Sequence, residues 1–237
     1  MIRQLPLGIT PNDTSRFDNF VAGENGPALQ AVRACAEGRE PTLVYLWSPL
    51  GGGRSHLLQA ACHGAAQIGR TPLFLPLAWG SDLLPEVLEG ARAMDLVCLD
   101  DLQAIAGDQE WERALFMLLN DVRDHGGSVI MTAESTPSAI GIALVDLASR
   151  LSAAAVFRLR PLRDADKSAV LRERARDRGI ELPVEVRDYL LRHCPRDLGE
   201  LLQLLDSLDK AALAAHRRIT IPFVKDVLAG KAEGEGG

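Results

Sequence analysis

Leu43-Val-Tyr-Leu-Trp-Ser48-Pro-Leu-Gly51-Gly52-Gly53-Arg54-Ser55-His56-Leu-Leu58 is an apolar run that breaks into three glycines and then becomes helical. The order is strand, loop, helix start. Successive glycines let the backbone take positive φ and turn its N–H groups inward, so the loop and the helix N-terminus together form an anion cradle suited to phosphate. The pattern is close to the phosphate-loop template G-x-x-x-x-G-K-[ST] and departs from it twice, with Ser48 in place of the first glycine and Arg54 in place of the lysine. Arg54 keeps a positive charge on a bulkier planar head, which can still neutralise a phosphate. Ser55 keeps the hydroxyl that would touch magnesium. Taken alone, the stretch also reads as a glycine-rich turn after a core strand.

A second apolar run, Leu96-Val97-Cys98-Leu99, closes on Asp100 and Asp101. Carboxylates at the end of such a strand lie at the carboxyl edge of a parallel sheet, where α/β folds bind ligands. Asp100 would hold Mg2+, usually through water, and Asp101 could orient an attacking water. The other reading is a pair of solvated acids opening a surface loop. Three more short apolar runs, 72–77, 128–133 and 156–159, alternate with helical patterns. One of these patterns is Leu83, Leu84, Val87, Leu88 and Ala91; another is Trp111, Ala114, Leu115, Leu118, Leu119 and Val122. Strands alternating with helices predict an α/β fold with a five-stranded parallel sheet flanked by helices. The run 128–133 ends in Thr132, Ala133 and Glu134, a polar tip that could sense a terminal phosphate.

Beyond Pro161 the strand patterns cease. Residues 164–178, 183–194, 197–215 and 222–229 all read as helices, with Gly179 and Gly230 as stops and Pro222 in a first turn. The expected division is a flexible tail over 1–16, a nucleotide-binding core over 17–161, a small all-helical domain over 162–230 and a disordered tail over 231–237.

The chain has 237 residues, 47% of them hydrophobic and 24% charged, as in a globular protein with a substantial core. Its 26 basic and 32 acidic side chains leave a net charge of -6, which argues against coating of DNA by a basic surface. Cys35, Cys62, Cys98 and Cys194 are far apart, and the five histidines are scattered, so neither a disulfide framework nor zinc-type spacing is present. No signal-type N-terminus and no membrane-length apolar run occur, and a cytoplasmic protein with no membrane association is expected.

In this order, a phosphate loop, a strand ending in Asp-Asp, a strand with a polar tip, Asp146-Leu-Ala-Ser-Arg150-Leu151 and a helical lid resemble the AAA+ ATPases. Within them the chain is similar to the DnaA-type initiators through Phe17-Asp-Asn-Phe-Val-Ala-Gly23 and Pro195-Arg-Asp-Leu-Gly-Glu-Leu201. Arg54, Val97-Cys98 before Asp100, Leu147 to Leu151, Ile221-Pro-Phe-Val-Lys225 and an end near residue 230, where an initiator continues into a DNA-binding domain, resemble the Hda type more closely, the DnaA-homologous regulatory inactivators.

The resemblance implies that Val21 and Ala22 lie beside an adenine, that Gly51, Gly52, Gly53, Arg54, Ser55 and His56 hold the phosphates of ADP or ATP, and that Ser55 and Asp100 hold Mg2+. Glu134 would be a first sensor, Arg196 a second in the lid, and Arg150 an arginine finger reaching a neighbouring subunit's nucleotide. From the residues alone, Arg150 also reads as an ion-pair partner for an acid such as Asp146. Gln4, Leu5, Pro6 and Leu7 match a short peptide that docks on the DNA polymerase sliding clamp, and read without the family they are an apolar terminus tucked onto the domain. The implied function is negative regulation of replication initiation. Tethered to clamps and touching DNA only indirectly, the protein would stimulate ATP hydrolysis on a DnaA-type initiator in trans while its own hydrolysis stays slow. Two alternatives are a self-sufficient AAA+ motor or loader, which would form ATP-dependent homo-oligomers, and a clamp-binding adaptor with a relic nucleotide site.

Overall fold

The computed structural model describes residues 15–49, 52–79, 84–194 and 198–232. The chain divides into two units after Pro161. The first holds five strands: β1 (Leu43–Trp47), β2 (Pro72–Pro76), β3 (Leu96–Asp100), β4 (Ser128–Ala133) and β5 (Ala155–Arg158). They form one sheet in the order β2-β3-β4-β1-β5, and every pairing is parallel. The central strands β3 and β4 are buried along their whole length, so they read as unbroken apolar runs. At one edge, β5 alternates between half-buried and exposed positions, and at the other, β2 begins and ends in proline, which an edge strand tolerates.

Alternation along the strands sorts the core into two layers. Val44, Leu46, Cys98 and Ile130 face α1 (Gly26–Ala36) and α2 (Arg54–Gln67), meeting Val32, Leu57, Leu58 and Ala61. Tyr45, Val97, Leu99, Val129 and Met131 face the opposite way, toward Leu115, Leu118 and Leu119 of α3 (Gln109–Asp124) and Leu147 and Leu151 of α4 (Val145–Ser152). All five strands point the same way, and the register sets Trp47 beside Ala133 and Leu99 beside Met131. The carboxyl end of β1 therefore abuts that of β4, with Asp100 closing β3 on the far side of β4.

The second unit is helical: α5 (Asp164–Asp177), α6 (Val184–His193), α7 (Leu198–Ala215) and α8 (Ile221–Ala232). Leu171, Leu190, Leu201, Leu205, Leu208, Phe223 and Val224 make its core. No helix among the described residues is long and apolar enough to cross a membrane.

Two elements differ from the sequence reading. Residues Pro85–Ala91 form a 3₁₀-helix, in which buried Leu88 and Ala91, three residues apart, fall on one face. Gly230 does not stop α8, which runs on to Ala232; a glycine in an exposed last turn costs a helix only about 1 kcal/mol. Cys35, Cys62 and Cys98 are buried, whereas Cys194 is partly exposed. Burial pushes the Cys35 thiol up to about 12 and raises Cys98 as well, so both stay protonated and unreactive.

Candidate nucleotide site

The loop after β1 delivers Gly52 and Gly53 to the start of α2. Gly53, the N-cap of α2, sits in the left-handed region at φ 78. A Cβ on Gly52 would stand 2.0 Å from Ser48 Oγ, so only glycine lets the loop close over Ser48. Ser48 is buried, and its hydroxyl has no hydrogen-bond partner among the described residues. A buried, unpartnered hydroxyl under a glycine loop at a helix N-terminus fits an anion such as phosphate.

Arg54 turns inward. Its guanidinium donates to the carbonyl oxygens of Ser48 and Ala133, the latter at 3.0 Å, and pairs with Asp101 Oδ1 at 3.0 Å. The cation thus bridges the ends of β1 and β4 and neutralises the carboxylate that follows β3. Asp101 itself takes φ 60 and also accepts from Gln103 Nε2 at 3.0 Å. Gln103 in turn accepts from the Glu134 backbone N–H, while the Glu134 residue is exposed beyond the end of β4.

Asp100 is 4% exposed. Its carboxylate accepts from the Thr132 hydroxyl, which itself accepts from the Asp101 N–H at 3.0 Å. Burial raises the Asp100 pKa, and the hydroxyls of Ser55 and Thr132 pull it partly back. A hydroxyl and a buried carboxylate facing each other are hard oxygen donors of the kind magnesium shares with phosphates. Among the described residues no group of three or more His, Cys, Asp or Glu side chains could hold a metal without a ligand's help.

Because the folded pKa of Asp100 lies above the unfolded one, its contribution to stability is greatest below the unfolded value and is lost as pH rises through the folded one. Asp100→Asn is therefore expected to raise the melting temperature of the nucleotide-free protein at neutral pH, by roughly 2–4 °C per kcal/mol relieved in a chain of this size. The gain should grow as pH rises from about 4 toward 7. Thermal melts across that range measure it, and a variant that melts below wild type at neutral pH contradicts this reading.

Val21 and Ala22 are half-buried and follow Phe20, whose ring lies 5.5 Å from that of His56 and 3.1 Å from where a Gly53 Cβ would be. The 20–22 segment therefore runs alongside the loop. The structure thus gathers Val21, Ala22, Gly52, Gly53, Arg54, Ser55, His56, Asp100, Asp101 and Glu134 around the loop and the adjoining strand ends. Gly51, Arg196, Gln4, Leu5, Pro6 and Leu7 lie outside the described residues. Arg150 is placed elsewhere, on α4, with its guanidinium 5.7 Å from the centroid of the Phe116 ring. Among the described residues it has no ion pair to Asp146 or to any other acid.

Two family models match the chain: the Hda lid domain over residues 164–228 and the bacterial DnaA ATPase domain over residues 84–157. The stretch from α5 into α8 thus matches the Hda lid, and the stretch from the 3₁₀-helix to β5 matches the DnaA ATPase domain. Domain III of the Thermotoga maritima replication initiation protein DnaA superposes with a TM-score of 0.81 at 22% identity, covering 92% of this chain and 97% of that one. AMPPCP-bound DnaA from Aquifex aeolicus gives 0.72 at 22% identity, over 84% of this chain and 66% of that one. A RuvB variant from Thermotoga maritima gives 0.69 at 13% identity, over 91% and 71%. At such identities the likeness is one of fold. The Hda-type lid corresponds to the helical unit from α5 to α8.

Sequence reasoning missed Gln103 and Glu112, and it placed Thr132 in the polar tip of β4 without its link to the aspartates. Thr132 joins the two aspartates, and Gln103 joins Asp101 to Glu134; neither has a signature, because each acts through the ends of strands distant in sequence. Glu112 is completely buried and accepts from the N–H groups of Gly107, Ala143 and Leu144. It had a signal: Glu112 lies three residues before Leu115 on the apolar stripe of α3, where a solvated acid would not belong.

Proposed function

We propose that this chain is a DnaA-related negative regulator of replication initiation that stimulates ATP hydrolysis on a DnaA-type initiator by supplying Arg150 in trans. The observation that carries this reading is Arg150 itself: a permanent cation on a surface helix, resting on an aromatic ring rather than on a carboxylate among the described residues. In phosphoryl transfer such a guanidinium offsets charge that develops on the transferring group. The Hda-type lid supports the choice of partner.

Its own site acts mainly as a structural nucleotide site with ADP as the resting ligand, in which the 52–56 loop and α2 N-terminus hold the phosphates while Ser55 and Asp100 hold Mg2+. An ion held there would supply charge neutralisation for the phosphates. Arg54 pairs with Asp101, the residue that would otherwise orient a water, which supports slow intrinsic hydrolysis. The same pair weighs against a self-sufficient motor. Gln4, Leu5, Pro6 and Leu7 dock the protein on the sliding clamp in the cytoplasm, so that tethering raises its effective concentration near an initiator on replicated DNA.

The test is hydrolysis of labelled ATP preloaded on a DnaA-type initiator, with clamps loaded on DNA, in the presence and absence of this protein bound to ADP. Faster hydrolysis is expected. An unchanged rate with folded, nucleotide-bound protein removes this reading and leaves the clamp-binding adaptor.

A further inference from the structure

We infer that Glu112 and Phe116, one turn apart on α3, are positioning residues that together set where the Arg150 guanidinium stands. α4 has only eight residues, too few to be stable alone, and its N-cap residue, Leu144, offers no side-chain cap. The missing cap comes from the neighbouring helix. Glu112 Oε2 accepts from the Leu144 N–H at 2.7 Å, and both carboxylate oxygens accept from the Ala143 N–H at 3.0 Å. A third backbone donor, the Gly107 N–H at 2.7 Å, fixes the carboxylate from its own side. Glu112 is wholly buried, so its negative charge is held at the positive end of α4 with little screening.

Four residues along, on the same face of α3, Phe116 lies under the Arg150 guanidinium at 5.7 Å. Buried Leu147 and Leu151, on either side of Arg150 in the chain, bind α4 to the core. α3 therefore grips α4 at its start through Glu112 and its cation through Phe116. A short helix gripped at both ends presents Arg150 with less freedom than an exposed arginine has, and less ordering entropy remains to be lost on engagement.

This inference rests on the arginine-finger reading for its catalytic consequence, but not for its geometry, and the test separates the two. The full-length protein is compared with Glu112→Gln and Phe116→Leu. Gln keeps the shape but replaces one accepting oxygen with a donor, and Leu keeps the apolar volume but loses the ring face. In NMR spectra, ring-current shifts of the Arg150 side-chain protons are expected in wild type, to be reduced in Glu112→Gln and lost in Phe116→Leu. Amide exchange at Ala143, Leu144 and the first turn of α4 should rise about 10-fold or more in Glu112→Gln while the sheet amides stay unchanged.

In the initiator assay, stimulation should fall roughly 10-fold for Glu112→Gln and about 3-fold for Phe116→Leu, while both variants bind ADP as wild type does. Unchanged ring-current shifts and α4 exchange in both variants overturn the inference. So does a loss of stimulation matched by faster exchange of the sheet amides or by lost ADP affinity, which marks general destabilisation instead. If wild type fails to stimulate, the finger reading falls while the spectra still decide whether α3 holds Arg150. Should Glu112→Gln not fold, Phe116→Leu carries the spectroscopic and kinetic arms.

Discussion

Arg150→Ala is expected to remove stimulation of the initiator's ATP hydrolysis altogether, a loss on the order of 10³ to 10⁵ if the guanidinium works as trans-acting fingers do. The protein itself should be little affected. Its described contact for the Arg150 head is the half-buried Phe116 ring, and such cation–ring contacts contribute about 0.5–2 kcal/mol. Fold and nucleotide affinity should therefore match wild type, which separates a lost finger from a damaged scaffold. Arg150→Lys should recover only part of the activity, because an ammonium is a point charge without the planar fork that spans two phosphate oxygens. Single-turnover hydrolysis on the initiator, with melting and nucleotide titration of each variant, measures all three statements.

Gly52→Ala is expected to cost roughly 100-fold in nucleotide affinity, about 3 kcal/mol. The new methyl would lie 2.0 Å from Ser48 Oγ and 2.8 Å from Ser48 Cβ. Rotation of the hydroxyl could relieve the first contact but not the second, and Ser48 is buried at the end of β1. The loop must then shift away from the helix N-terminus that gives it its field. Removing the obstacle should restore binding, so Ser48→Gly together with Gly52→Ala is expected to bind nucleotide far better than Gly52→Ala alone. Calorimetric titration with ADP and Mg2+ reads the difference. Wild-type affinity in the single variant would mean that phosphate does not sit in this loop.

The parts of the fold that the sequence disclosed are those whose burial is two-sided. β3 and β4 are covered on both faces, so each appears as an apolar run with definite ends, and the glycines between β1 and α2 mark the turn between them. Where burial is one-sided or short the pattern blurs. Pro85–Ala91 has apolar residues at spacings that suit an α-helix, yet Leu88 and Ala91 are satisfied by the tighter 3₁₀ spacing.

For the site, the glycines, Ser55 and the two aspartates were visible because each follows from a strand or helix end. The course of Arg54 was not. Its guanidinium reaches Ala133 and Asp101, 79 and 47 residues away, and no spacing rule reports a contact made across the sheet edge. The sequence suggested a cation for phosphate; the structure commits that cation to carbonyl oxygens and to Asp101. The Asp146 partner considered for Arg150 is likewise replaced by the Phe116 ring. Glu112 was legible in principle, as an acid on an apolar stripe, but the backbone groups it serves lie in two loops with no periodicity, one before α3 and one before α4.

On this proposal the protein stimulates hydrolysis of the initiator's ATP through its own arginine and not through its own nucleotide site. Side by side, Asp101→Asn and Arg150→Ala test it in a single-turnover assay of labelled ATP preloaded on the initiator, with clamps on DNA. Asp101→Asn removes the carboxylate that Arg54 pairs with in the protein's own nucleotide site, so with ADP still bound it should stimulate as well as wild type, whereas Arg150→Ala should not stimulate at all. Stimulation lost in Asp101→Asn and kept in Arg150→Ala would contradict the account and assign the chemistry to the protein's own nucleotide.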